Sequence, residues 1–321
     1  MRMRRQTWGR LAATVAGTLA LLATAACGTV TGSTSAAHVS ERPLIATDAN
    51  NNAIHIPGQA PQRVVSLTAT DSEILGALHL DTRVVAVDYY TDYPATLASK
   101  QKITDANGAA NVEAIVGLKP DLVLSYGGET TQTDQRLIAA GIPVVDLPVA
   151  DLTRSLTEIQ LVGQIMHDEA AANTLVQSLK QRIAKVEQTV AKAPRMTVYM
   201  EVDDSTAGKP YVFGGGSFGD ELIKDAGGTN IFASDTANGG YPQVSDETIV
   251  AANPQVIVLT EDPHYGGDPA VVYKRSGWSG IAAVREKRVY AINPDLIQRP
   301  GPRIVDGLEQ LAKDLHPDLF S

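Results

Sequence analysis

Between Tyr211 and Ala226 the chain carries Gly214-Gly-Gly-Ser-Phe-Gly219, a run that satisfies two catalytic patterns at once. Read as Gly214-x-Gly216-x-x-Gly219, it is a dinucleotide fingerprint whose glycines let a pyrophosphate approach a helix N-terminus. Read as Gly215-x-Ser217-x-Gly219, it is a nucleophile elbow that raises a serine above a sheet for acyl transfer. Local context suits both, with strand expected over 211–213 and helix over 220–226. Their partners do not follow. The acid that should close a second strand about twenty residues on falls in a polar loop, 235–240. A serine hydrolase using Ser217 can draw a base from His264 or His316, but no HGGG-like oxyanion segment exists. The alternative is a glycine-rich turn feeding a helix, with Ser217 as its N-cap.

Other reactive side chains are sparse. Cys27 is the only cysteine, and the six histidines (His38, His55, His79, His167, His264, His316) are scattered, so no thiol chemistry or local zinc set is expected. The 321 residues are 44% hydrophobic and 20% charged, enough for two core-bearing lobes. A formal charge of −9 argues against a nucleic-acid partner, which needs a basic face.

Arg2, Arg4, Arg5 and Arg10 precede an apolar run over 11–23, too short to span a bilayer as a mature helix but suited to an export signal. Small residues then lead directly to Cys27, with Thr24 in place of the usual aliphatic residue of a lipobox. The expectation is a lipoprotein signal peptide over 1–26, a lipidated Cys27 and a tether over 27–42 that reaches roughly 20 Å. Ordinary signal cleavage with an incidental thiol is the alternative. Removing 1–26 takes four arginines and no acids, leaving 23 basic against 36 acidic residues, or −13.

The positioning elements alternate. A hairpin is expected around the turn 48–52, then strands over 63–67, 83–87, 122–125, 143–147, 196–201, 256–260 and 288–292 separated by helix-length stretches, which favours parallel sheets covered by helices. Residues 151–192 lack proline, carry only Gly163, and place apolar residues at helical spacing, so they read as a helix with one break near Met166-His167-Asp168. The halves echo each other: 113–124 aligns without gaps on 247–258, each a glutamate-led helix, a proline and an aliphatic strand. A weaker echo pairs 72–75 with 220–223.

Taken together, Arg63-Val-Val-Ser-Leu, Ser72-Glu-Ile-Leu-Gly-Ala-Leu, Asp92-Tyr-Pro94, the 112–124 segment, Gly216-Ser-Phe-Gly-Asp-Glu-Leu-Ile223, Ala226-Gly-Gly-Thr-Asn-Ile231, Pro242-Gln-Val-Ser-Asp-Glu247 and Arg299-Pro-Gly-Pro-Arg303 resemble bacterial ABC-transporter substrate-binding lipoproteins for iron-siderophore, haem and cobalamin. The resemblance covers about 43–317. It implies two Rossmann-like α/β lobes, 43–150 and 194–321, joined by a long helix over 151–193, with a ligand cleft between them. It also implies passive capture rather than catalysis.

In that family one surface glutamate per lobe docks on the permease dimer, and Glu113 and Glu247 match those positions; helix-start acids stabilised by the macrodipole are the alternative. Loops at the strand ends bring Tyr89, Tyr90, Tyr93, Tyr126, Phe213, Ser217 and Tyr241 to the cleft, with Trp278 as a further candidate. Arg299 and Arg303 are candidates for an anionic group, although either can instead pair with a protein carboxylate. The expected cargo is a pre-chelated Fe3+ complex, a ferric siderophore, with cobalamin or haem as alternatives; no cofactor or protein metal site is expected. The receptor is expected to be a monomer outside the cell membrane, held there only by its lipid anchor.

Overall fold

The computed structural model describes residues 44–47, 53–56, 58–126, 131–147, 151–261 and 267–320. The signal segment, Cys27, the tether and His264 lie outside these residues. β1 (Leu44–Thr47) and β2 (Ala53–Ile56) form the antiparallel hairpin expected around 48–52, with Leu44 opposite Ile56.

Two parallel sheets follow. The first contains β3 (Val64–Ser66), β4 (Val84–Val87), β5 (Gln101–Lys102), β6 (Leu122–Ser125) and β7 (Val144–Asp146) in the order β5-β4-β3-β6-β7. The second contains β8 (Met196–Asp203), β10 (Gly228–Asn230), β11 (Val256–Leu259) and β12 (Val289–Ala291) in the order β10-β8-β11-β12. The short β9 (Tyr211–Val212) runs antiparallel to the end of β8. β3, β6 and β11 are buried along their whole length, because helices cover both sheet faces and no strand face needs to be polar.

The segment 151–193 is two helices, not one rod. Leu152–Ile165 ends at Met166, His167 takes a left-handed conformation (φ 56°), and Glu169–Val190 begins again after Asp168. The first helix packs on the N-terminal half and the second on the C-terminal half, and the two pack on each other. Gly163 is required at their crossing, since a Cβ there would lie 2.2 Å from the Ala172 Cβ. Arg182 of the second helix forks onto Asp306 and Glu309 of the last long helix, Ile304–Leu315.

This helical layer joins the lobes in the core. One apolar cluster runs from Val64, Ile74 and Leu124 through Ile159, Val162, Leu179 and Ile183 to Met200, Phe213 and Leu308. The opposite sheet faces have separate cores, one around Val65, Ile115 and Leu137, the other around Tyr199, Ile257 and Trp278.

The longer sequence echo is a structural repeat. The helix Val112–Leu118 is capped by Asn111 and stops at Lys119 in the left-handed region (φ 49°); the helix Asp246–Ala252 is capped by Ser245 and stops likewise at Asn253 (φ 48°). In each case the stop precedes a proline, a neighbour that disfavours continued α conformation. The residue after each proline then bonds to the first strand of its own sheet: Asp121 accepts from the Arg63 N–H at 2.8 Å and Gln255 from the Thr197 N–H at 3.0 Å. The weaker echo is one residue out of register. Thr68 caps at the Asp71 N–H and Ser217 at the Asp220 N–H, which leaves Glu73 and Glu221 at different helical positions.

Candidate functional site

The helices Ala69–Ala77 and Phe218–Asp225 start at the carboxyl ends of the two sheets, with their capping residues Thr68 and Ser217 facing a common cavity of about 480 Å³. Thr70, Tyr126 and Leu147 complete its N-terminal wall; Val202, Phe218, Tyr241, Gln298 and Pro300 stand on the other side. Thr68, Tyr126 and Gln298 also border an adjoining cavity of about 1470 Å³, lined by Asp88, Tyr90, Asp92 and Arg136 from one half and Glu261, Asp295 and Arg299 from the other. Helix starts, loops and strand ends thus converge where a parallel α/β sheet places its ligands.

The glycine-rich turn is shaped by this chain's own atoms. A Cβ on Gly215 would sit 2.1 Å from the Ala233 carbonyl oxygen, and one on Gly219 would sit 2.3 Å from the Phe213 ring. Gly216 has φ 82°, which a side chain rarely adopts. Ser217 is buried; its hydroxyl donates to the Gly214 carbonyl at 2.7 Å and accepts from the Asp220 N–H at 3.2 Å. The cap reading therefore fits, and the nucleophile reading does not. His316 lies instead against the Gly227 carbonyl at 3.4 Å, buried so that its pKa is lowered.

The predicted aromatics divide by environment. Tyr126 is 47% exposed and Tyr241 half-buried, both lining the smaller cavity; burial, with a smaller contribution from Tyr126, pushes the Tyr241 hydroxyl up to about 12. Phe213, Phe218 and Tyr241 form a ring cluster with centroids 5.5 to 6.3 Å apart; all three line the smaller cavity, Phe213 as the fully buried member. Tyr89 and Tyr90 are exposed and stack edge to face at 5.2 Å, with the Tyr90 hydroxyl donating to the Ala106 carbonyl at 2.6 Å. Tyr90 lines the larger cavity; Tyr93 lies under the Arg303 guanidinium, 4.1 Å from its centroid.

Trp278 is a correction. It is completely buried behind the second sheet, edge-on to Tyr199 at 5.9 Å and under Arg275 at 4.7 Å, so it belongs to the C-terminal core and not to the cleft. That arginine forks onto the buried Glu201 at 2.6 and 2.7 Å and reaches Asp204 at 2.8 Å. Glu261, beside this network and on the cavity wall, has its carboxyl pushed up to about 7 by burial and by Glu201.

Arg299 and Arg303 follow the alternative reading, each paired with protein carboxylates, although Arg299 also lines the larger cavity. Arg299 bonds Asp92 at 2.6 Å and Asp295 at 2.9 Å; Arg303 bonds Glu73 at 2.5 Å. Burial pushes the Glu73 carboxyl up, while Arg303 pulls against that shift. Glu73 is a residue that sequence reasoning missed as a partner. No signal in the sequence marks this pairing, whose partners lie 230 positions apart.

Glu113 and Glu247 occupy the first turns of the two repeated helices, both exposed. Glu113 pairs with Arg136 at 2.7 Å, and a hydrogen bond from Ser245 holds Glu247 below the usual carboxylate range.

A family model described as periplasmic binding protein matches residues 64–296. An uncharacterized ABC transporter substrate-binding lipoprotein of Bacillus subtilis, YvrC, is 34% identical over 285 residues, covering 87% of each chain. A cobalamin-binding protein of Halobacterium salinarum is 30% identical over 319 residues, covering 96% of this chain and 85% of its own. The crystal structure of the periplasmic vitamin B12 binding protein BtuF of Vibrio cholerae superposes with a TM-score of 0.69 at 25% identity, over 80% of this chain and 98% of that one. Two parallel sheets, a ligand-sized cavity between them and these likenesses agree: the chain belongs to the periplasmic binding protein family, among the substrate-binding proteins of ABC importers for siderophores, haem and B12.

Proposed function

We propose that this chain is a lipid-anchored receptor outside the cell membrane, which captures a bulky metal chelate between its lobes and delivers it, chemically unchanged, to an ABC permease. The observation that carries this reading is the cavity faced by Tyr126 and Tyr241 from opposite halves, with Ser217 committed to capping a helix. Flat rings on two sides suit a large rigid ligand, and its metal arrives already wrapped. The cobalamin-binding Halobacterium relative supports a corrinoid cargo ahead of the ferric siderophore expected from sequence.

Glu113 and Glu247 are the proposed permease contacts. Each begins a matched helix beside the first strand of its sheet, so the two carboxylates give a paired register to a two-subunit partner. The test is chelate uptake by cells carrying Glu113→Ala with Glu247→Ala, together with calorimetric binding by the purified chain. Uptake is expected to be lost with affinity retained. Normal uptake by the double variant would remove the docking role, and failure to bind any metal chelate would remove the receptor reading.

A further inference from the structure

We propose that the cleft discriminates by charge, accepting metal chelates that are net neutral or cationic and rejecting anionic ones. The inference rests on the receptor reading above and names the class of cargo.

Two guanidinium groups line the larger cavity, and each already faces a protein carboxylate. Arg299 is held by Asp92 and Asp295, and Arg136 by Glu113 at 2.7 Å. Arg303, just behind, is closed off by Glu73. The same walls carry two carboxylates beyond those pairs. Asp88 is bonded by the Thr91 hydroxyl and the Tyr90 N–H, and Glu261, whose raised carboxyl is fully charged only above about pH 7, by the Asp204 N–H at 3.3 Å; among the described residues neither has a cationic partner. Neutral hydrogen-bonding groups do not set up a counter-field strong enough to recruit an anion, whereas uncompensated carboxylates in a partly desolvated cleft repel one.

Of the first-turn N–H groups at the two helix starts facing the smaller cavity, the Asp71 N–H is taken by Thr68 and the Asp220 N–H by Ser217, which leaves fewer donors for an anion. What remains for a ligand is neutral: hydroxyls at Thr68 and Thr70, and the rings of Tyr126 and Tyr241. That set suits the amide- and hydroxyl-bearing rim of an uncharged chelate.

The test is titration calorimetry of the chain with four probes: uncharged cyanocobalamin, cationic ferrioxamine B, dicarboxylate haemin and a trianionic ferric tris-catecholate. The expected result is that cyanocobalamin or ferrioxamine B binds at least about 30-fold tighter than either anion at low salt. Raising sodium chloride to about 0.5 M should narrow that gap by screening the repulsion. Asp88→Asn with Glu261→Gln should raise haemin affinity about tenfold, with far-UV circular dichroism checking the fold. Anions binding as tightly as the neutral and cationic probes would overturn the charge filter while leaving the receptor reading intact. Binding of none of the four would overturn both.

Discussion

Arg303 Nη2 lies 2.5 Å from Glu73 Oε1, a bond between residues 230 positions apart that clasps the C-terminal half to the first helix of the N-terminal half. The Glu73 side chain is 1% exposed, and Arg303 is the nearer of its two cations, with Arg299 at 3.9 Å. Removing one member of a buried pair leaves an uncompensated charge, a loss of about 3–5 kcal/mol. Arg303→Met should therefore lower the stability measured by urea unfolding by that amount, and adding Glu73→Gln should recover much of it. A single variant that shifts the unfolding midpoint negligibly would show that the clasp does not hold the lobes.

Glu158 gives the fold a pH dependence. It sits in the helix Leu152–Ile165, where burial pushes its carboxyl from 4.5 up to about 8, with Arg154 opposing and Asp151 adding to the shift. Because the folded value is the higher one, folding takes up a proton: the contribution is fully present below pH 4.5 and is lost as pH rises through 8. Glu158→Gln should therefore be more stable than the wild type at pH 9, by on the order of 2 kcal/mol, with a much smaller difference near pH 5. Thermal unfolding at the two pH values checks this, and equal differences at both would refute it.

Gly163→Ala sets two effects against each other. Alanine favours a helix by about 1 kcal/mol over glycine. Here its Cβ would meet Ala172 at 2.2 Å, and relieving that overlap by moving two packed helices costs about 1–3 kcal/mol. The clash should win, lowering the melting temperature; a variant more stable than the wild type would mean that the helices separate freely.

Ser217→Ala removes a helix cap and nothing chemical. A loss of about 1 kcal/mol in unfolding free energy is expected. The wild-type chain should resist a fluorophosphonate probe, and stoichiometric labelling at Ser217 would contradict the capping role.

Tyr126→Ala and Tyr241→Ala should each weaken chelate binding about 3- to 10-fold, in line with the loss of one aromatic contact of about 0.5–1.5 kcal/mol. Calorimetry measures the change. Trp278 fluorescence cannot substitute, because that ring is walled into the C-terminal core.

Much of the architecture was legible because parallel strands covered on both faces read as short aliphatic runs; 122–125 matches β6 residue for residue. The break at His167 was also legible, flanked as it is by the ends of two amphipathic stretches. β5 and β10 escaped, since two exposed residues and a Gly-Thr-Asn triplet carry no apolar pattern. The site was harder to read, and for a physical reason. An aromatic or an arginine looks the same in sequence whether it faces a cavity or a buried neighbour, and only tertiary packing sent Trp278 inward and turned Arg299 and Arg303 onto Asp92 and Glu73.

The apolar cluster that passes from β3 through the paired helices to β8 has a consequence for how this molecule can be divided. A fragment cut at the His167 bend would present half of that seam to water on either side, an invitation to aggregate. Two sheets therefore do not make two independent folding units, and unfolding of one lobe must carry the other with it.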